Sequence, residues 1–255
     1  MKPRKRFGQN FLKDPGVIAR IVDAIRPSKD DRIVEIGPGL GALTAPLLRV
    51  LDRLDVIEID RDIVETLSRR FSPEKLVIHQ ADALKFDFSS LGSDLRIVGN
   101  LPYNISTPLL FHLSEFSRCI MDMHFMLQKE VVDRMTANPS SADYGRLSVM
   151  LQHRFAMEKC FEVPPECFYP EPKVDSAIVR MVPLASLLAK DEAFFSKVVL
   201  AAFSQRRKTL RNTLKHFLSP EDFISLEIDQ NDRAENLSVS DFAKISNRLA
   251  EKEGR

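Results

Sequence analysis

Residues 32–41 read Arg-Ile-Val-Glu-Ile-Gly-Pro-Gly-Leu-Gly, a short apolar run that passes straight into alternating glycines and then into a helical pattern near Ala45 to Leu51. Strand, glycine loop and helix in that order form the context in which a glycine-rich loop can hold a cofactor. The glycines permit a tight turn and close approach of backbone to ligand. The next strand ends at Glu58 and Asp60, about twenty residues after the first glycine, where an acidic side chain can accept both hydroxyls of a ribose. Up to this point the pattern suits NAD and S-adenosylmethionine equally, and glycines that merely serve a turn would look the same.

The alternation continues along the chain. Leu54 to Ile59, Leu76 to His79, Arg96 to Val98 and Ile120 to Leu127 read as strands, and Ile63 to Phe71, Thr107 to Phe116 and Lys129 to Met135 as helices. Upstream, Val17, Ile18, Ile21, Val22 and Ile25 recur at helical spacing behind the Asp14-Pro15 start, and Pro27 ends that helix. Strands separated by helices predict an α/β fold with a largely parallel sheet, right-handed crossovers and ligands at the carboxyl ends of the strands. Past Tyr144 a helix runs to His153. Two extended stretches, Phe155 to Val163 and Val174 to Val182, then flank the loop Pro164 to Pro172 and suggest a closing antiparallel pair. After Pro183 the segments Ala193 to Phe203, Lys208 to Leu218, Glu221 to Ile228 and Val239 to Leu249 all read helical. We therefore expect one domain over 1–184 and a small helical domain over 185–255.

Bulk properties narrow the class. The chain has 255 residues, 37 basic and 36 acidic, so a nucleic-acid partner is not announced by net charge and must be argued from local clustering. Cys119, Cys160 and Cys167 form no paired motif and suggest reduced thiols. The five histidines show no metal-ligand spacing, and no metal is expected. The basic start is followed by no apolar stretch of the kind a signal peptide needs, and no segment is suited to span a membrane, so a soluble cytoplasmic protein is expected.

The remaining motifs carry the chemistry. After the third strand comes Ala81-Asp82-Ala83, an acid placed to bind an adenine amino group, and after the fourth comes Gly99-Asn100-Leu101-Pro102-Tyr103. A dinucleotide-binding oxidoreductase has no need of that last element, whereas methyltransferases acting on planar amino groups use one like it. The lone pair of such a nitrogen is delocalised into its ring. If the Asn100 side-chain oxygen and the Leu101 carbonyl accept both amino hydrogens, the lone pair is freed to point at a methyl donor, and Pro102 fixes the local φ. Tyr103 offers a ring for a base to stack on, and Phe168, between prolines, is the candidate for the opposing ring, the alternative being core packing. No strong base is needed, because catalysis reduces to positioning and electrostatics.

Over nearly its whole length the sequence resembles the bacterial small-subunit ribosomal RNA adenine dimethyltransferase family associated with kasugamycin sensitivity. The resemblance rests on Phe7 to Leu12, Glu35 to Thr44, Glu58 to Asp60, Asp82-Ala83, Asn100 to Asn104, Pro164 to Ser176 and Phe203 to Asn212. It implies a Rossmann-like, seven-stranded methyltransferase sheet with a C-terminal helical domain. It also implies S-adenosylmethionine as cofactor, held by Asn10, Leu12, Gly37, Gly39, Glu58, Asp82 and Asn100. The implied reaction is N6,N6-dimethylation of two adjacent adenosines near the 3′ end of small-subunit (16S) RNA, presented to a monomeric enzyme in a partly assembled 30S particle.

Five basic residues and no acid lie between Arg206 and Lys215. Arg206, Arg207, Lys208 and Arg211 are the candidate RNA contacts, with Arg207, Arg211 and Lys215 on one helical face and Leu210, Leu214 and Phe217 on another. Lys2, Arg4, Lys5 and Arg6 form a second patch. A solvated face would look similar. Besides the oxidoreductase, two other readings stand: a large-subunit adenine methyltransferase of the antibiotic-resistance type, and a non-catalytic RNA-binding assembly factor.

Overall fold

The computed structural model describes residues 10–252. It opens with β1 (Phe11–Leu12) and α1 (Pro15–Ile25). The Asp14 carboxylate accepts a hydrogen bond from the Val17 N–H at 2.8 Å and caps α1, with Pro15 in the first turn as the sequence suggests. There follow β2 (Arg32–Ile36), α2 (Thr44–Leu47), β3 (Leu54–Glu58), α3 (Arg61–Arg70), β4 (Leu76–Gln80), β5 (Leu95–Asn100), α4 (Ser106–Glu115) and β6 (Ile120–Gln128). Then come α5 (Lys129–Met135), α6 (Arg146–Gln152), β7 (Phe155–Val163), β8 (Phe168–Tyr169) and β9 (Ser176–Pro183).

Seven strands form one sheet in the order β4-β3-β2-β5-β6-β9-β7. The first five are mutually parallel, and β9 runs antiparallel to β6. The chain moves outward from β2 to β3 and β4 and then returns to β5 on the other side of β2. That reversal opens a crevice where β2 and β5 end, the place where open α/β sheets bind ligands. Pairing of Ile36 with both Ile57 and Gly99 brings the ends of β2, β3 and β5 to one edge.

The apolar stripe of α1, Val17, Ile21 and Ile25, is buried with Ile33, Leu47, Val56, Leu67 and Val98 in one cluster. Full burial of such a side chain contributes about 1.5–3 kcal/mol. At the amino end of β5 the sheet encloses a charge. Arg96, 9% exposed, donates through Nε and Nη2 to the two oxygens of Asp122 at 2.9 Å each, and through Nη1 to Asp31 at 2.5 Å. It also caps the end of α1, donating to the carbonyls of Ile25 at 2.6 Å and Arg26 at 3.2 Å. Burial opposes the guanidinium charge, but the two carboxylates outweigh it and push the pKa above its ordinary value.

The described chain divides into two compact units, and the division departs from the single boundary expected at 184. One unit comprises the residues up to Val132 with Met157–Pro183; the other comprises Asp133–Ala156 together with Leu184 onward. The reason is apolar packing. Tyr144 and Val149 are buried in one cluster with Phe195, Phe242 and Leu249, and the Tyr144 hydroxyl donates to the Leu237 carbonyl at 2.9 Å. The second unit is built from α6, α7 (Glu192–Ala202), α8 (Leu210–Thr213), α9 (Pro220–Ser225) and α10 (Val239–Lys252).

The helix expected over Lys208–Leu218 is shortened to α8. Thr209 is extended, and the N–H groups of Leu210 and Arg211 donate to the carbonyls of Asp232 and Gln230 at 2.8 and 2.9 Å. Arg206, Arg207 and Lys208 therefore stand on a turn and do not share a helical face with Arg211. Among the described residues, no helix is long and apolar enough to cross a membrane, and no group of three or more His, Cys, Asp or Glu side chains could hold a metal ion.

Two outcomes follow from this packing. Replacing Asp122 by Ala removes two of the three carboxylate hydrogen bonds of the buried Arg96 and leaves Asp31 to offset its charge, and denaturant unfolding is expected to register a loss of about 3 kcal/mol; a loss below about 1 kcal/mol would contradict the role given to the pair. In the second unit His153, 1% exposed, stacks on Phe195 with 4.0 Å between ring centroids. Burial first, and the nearby Arg154 second, lower its pKa to about 4. The unfolded chain therefore binds the extra proton before the folded one does, so stability declines as pH falls below about 6.5 toward 4. His153→Leu is expected to flatten that decline in thermal melts between pH 7 and pH 5, and an unchanged slope would count against it.

Candidate active site

The cavity of the first unit is lined mainly by strand ends, the loops that follow them and the N-terminal segment, with Ile63 of α3. The glycine loop leaves β2 with Gly37 and Gly39 at positive φ, 66° and 53°, conformations that residues with a Cβ adopt at a cost. The Gly37 N–H donates to the Ile57 carbonyl at 3.0 Å, which ties the loop to β3. A Cβ on Gly39 would lie 3.1 Å from the Phe11 ring, so β1 closes directly over the loop.

At the end of β3, Glu58 is buried and accepts the Asp60 N–H at 2.8 Å. Burial raises its pKa, against the lowering effect of the backbone N–H groups of Asp60, Ile59 and Gly39. Asp82, beyond β4, accepts the Leu84 N–H at 3.0 Å, which sets its side chain at the cavity wall. At the end of β5 the Asn100 Nδ2 donates to the Asn10 carbonyl at 3.0 Å. That bond turns the amide nitrogen toward the N-terminal segment and leaves the side-chain oxygen as the group that can accept from a ligand. The Leu101 N–H is taken by the Met126 carbonyl of β6 at 3.1 Å, and the Tyr103 hydroxyl pairs with the Ser176 hydroxyl at 2.9 Å.

Asn10, Leu12, Gly37, Gly39, Glu58, Asp82, Asn100, Leu101 and Tyr103 all line this one cavity of about 440 Å³. That is the size of pocket that encloses a small-molecule ligand. Phe168 does not line it, and the expectation of a stacking role for this residue is corrected. In β8, which pairs antiparallel with β1 (Leu12 opposite Phe168, Phe11 opposite Tyr169), successive side chains face opposite ways. Phe168 is 1% exposed in the apolar cluster beneath the ribbon, while Tyr169 is 63% exposed and lines the cavity.

Two further residues were not singled out from the sequence. Glu35 lies in β2 and lines the cavity although 2% exposed, and Thr44 donates to it through Oγ1 at 2.6 Å. A carboxylate within an otherwise apolar, doubly covered strand is the signal that could have found it. Arg206, Arg207, Lys208 and Arg211 are exposed in the second unit, whereas the residues that line the cavity belong to the first. The basic residues Lys2, Arg4, Lys5 and Arg6, and Phe7 to Gln9 of the N-terminal block, lie outside the described residues.

Comparison with known proteins places this geometry. The model of a family described as ribosomal RNA adenine dimethylase matches residues 1–251. The chain is 63% identical over 247 residues to the ribosomal RNA small subunit methyltransferase A of Nitrosospira multiformis, covering 96% of this chain and 95% of that one. Among solved structures it is similar to a dimethyladenosine transferase from Plasmodium falciparum, with a TM-score of 0.84 at 28% identity over 96% of this chain and 98% of that one. It is also similar to the 23S rRNA methyltransferase ErmE, with a TM-score of 0.75 at 25% identity over 94% and 99% of the respective chains. The sheet is thus a Rossmann-like methyltransferase sheet, and by a match that spans nearly every residue the chain belongs to the ribosomal RNA adenine dimethylase family.

Proposed function

We propose that this methyltransferase binds S-adenosylmethionine in the described cavity and dimethylates the N6 amino groups of two adjacent adenosines near the 3′ end of small-subunit ribosomal RNA. The observation that carries the reading is the Asn100 amide on the cavity wall, whose nitrogen donates to the Asn10 carbonyl and so leaves its oxygen to accept from a ligand. The name of the Nitrosospira relative, at 63% identity, supports the small subunit over the large one, since the likeness to the 23S enzyme is 25%.

The cavity's residues fit the cofactor. Gly37 and Gly39 give backbone-lined space for its amino-acid portion, Glu58 has acceptor oxygens for ribose hydroxyls, and Asp82 lies where an adenine amino group can be recognised. Asn10 and Leu12 close over it from the N-terminal side. When bound, S-adenosylmethionine supplies a methyl group on a cationic sulfur that a nitrogen lone pair can attack. The chain's own work is geometric. Asn100 Oδ1 and the Leu101 carbonyl accept the two N6 hydrogens and draw the nitrogen out of conjugation, Pro102 holds that carbonyl in place, and Tyr103 stacks on the base. With Phe168 in the core, Tyr169, exposed and lining the same cavity as Tyr103, is proposed as the opposing ring. The exposed Arg206, Arg207, Lys208 and Arg211 supply phosphate contacts to RNA in a partly assembled 30S particle. The enzyme is proposed to act as a monomer in the cytoplasm.

Asn100→Ala is expected to lower tritium transfer from labelled S-adenosylmethionine to subunit particles by on the order of a hundredfold or more; dimethylation that persists at full level, mapped by mass spectrometry, would remove Asn100 from the mechanism. Phe168→Ala and Tyr169→Ala separate core from mouth: the first is expected to cost about 3–5 kcal/mol in unfolding, the second to leave the melting temperature intact while raising KM for the particle. The reverse pattern would restore Phe168 as the stacking ring. Replacing Arg207 and Arg211 by Ala is expected to weaken particle binding and make its log–log salt dependence shallower by about 0.7 for each phosphate no longer neutralised; an unaltered slope would exclude them from the RNA surface.

A further inference from the structure

Glu35 takes no part in the positioning described above, yet a carboxyl group has been placed where an apolar side chain would pack. It sits in β2 between Val34 and Ile36, both buried, and still reaches the cavity. Thr44 of α2 donates to its Oε2 at 2.6 Å. On one side β3 presents Glu58, a second buried acid on the cavity wall, with Asp60 buried beyond it. On the other side β5 presents Asn100, which is uncharged. Lys13, Asp82, Tyr103 and Tyr169 are the other titratable side chains of the wall, and Arg70 of α3 donates instead to the Leu40 carbonyl at 2.7 Å.

Two acids facing one cavity, with burial suppressing their ionisation, make a site whose charge depends on its occupant. Burial, and to a lesser degree repulsion from Glu58, raises the Glu35 pKa to about 7, with the Thr44 hydrogen bond acting in the opposite direction. The proposed cofactor carries a sulfonium in addition to its ammonium and carboxylate, so it is a net monocation. After methyl transfer the sulfur is a neutral thioether and the net charge is zero.

We infer that Glu35 is the specificity-determining residue that reads this charge: it gives its proton to solvent when the sulfonium cofactor binds and takes one back once the sulfur is neutral, favouring fresh cofactor over spent product. The inference rests on the cofactor reading above. Its sign is fixed by linkage. A cation binds the ionised carboxylate better, so affinity for the cofactor rises with pH through the pKa of the empty site, and proton release falls over the same range.

Isothermal titration calorimetry of the full chain with S-adenosylmethionine, in two buffers of different ionisation heat, measures the protons released. At pH 7 the chain is expected to release about 0.5 proton per cofactor through Glu35, falling toward zero by pH 8.5, with Kd about tenfold tighter at pH 8 than at pH 6. The cofactor's own amino group titrates in every variant and cancels in the comparison. Glu35→Gln is expected to remove this release and flatten the pH dependence of Kd, and S-adenosylhomocysteine to elicit a smaller release from the unmodified chain. Thr44→Val, which deletes the opposing hydrogen bond, is expected to move the release curve to higher pH, and decides the matter if Glu35→Gln does not fold. Equal proton counts for the unmodified chain and Glu35→Gln, or an unmoved curve for Thr44→Val, would overturn the inference and leave the cofactor reading standing. Absence of binding at every pH would overturn both.

Discussion

Strand β2 is hydrogen-bonded in parallel to β3 on one side and β5 on the other, with Ile36 opposite both Ile57 and Gly99, and the organisation of the first unit depends on that pairing. Parallel strands cannot be joined by tight turns, so each connection must cross over the sheet and bury it. The crossovers from β2 and from β5 leave in different directions, and the crevice between them receives the glycine loop, Glu58 and Asn100 together. A register shifted by one residue would turn Asn100 away from the cavity and take Val98 out of its apolar cluster.

The sheet keeps its buried charges at opposite ends. Toward the amino ends of the strands, Arg96 is enclosed by Asp122, Asp31 and the last carbonyls of α1. The arrangement satisfies nearly all of the guanidinium donors and anchors the helix whose preceding segment covers the cavity. Toward the carboxyl ends, Glu35 and Glu58 are met by uncharged donors, the Thr44 hydroxyl and backbone N–H groups. One end is thus a closed structural network, and the other holds acids whose charge a ligand can complement.

The two-stranded ribbon of β1 and β8 joins parts of the chain more than 150 residues apart (Phe11 opposite Tyr169). It connects the N-terminal segment of the cavity wall to Tyr169, and the bond from Asn100 to the Asn10 carbonyl ties that segment to the end of β5. The glycine loop and the Asn100 to Tyr103 segment therefore share one cavity wall, the arrangement that the proposed transfer of a methyl group between two bound molecules requires.

Local pattern determined much of this protein. The run from Arg32 to Gly41, the acids at Glu58 and Asp82 and the Asn100 to Tyr103 segment were legible because strand, turn and helix each depend on a few neighbouring residues. The alternation of elements implied a parallel sheet with its site at the carboxyl edge. What sequence could not decide was which way a side chain faces when its strand's partner is distant. Phe168 and Tyr169 are adjacent aromatics, and only pairing of β8 with β1 sends Phe168 into the core and Tyr169 to the cavity. The same holds for residues 133–156, which lie between strands of the sheet in sequence but pack with the helical unit because Tyr144 and Val149 find their apolar partners there. It holds for the basic segment too, where carbonyls of Asp232 and Gln230 meet the start of α8 and leave Arg206 to Lys208 on a turn. Propensity acts within a few residues, whereas burial and hydrogen-bond satisfaction are settled by whichever segments the completed fold brings into contact.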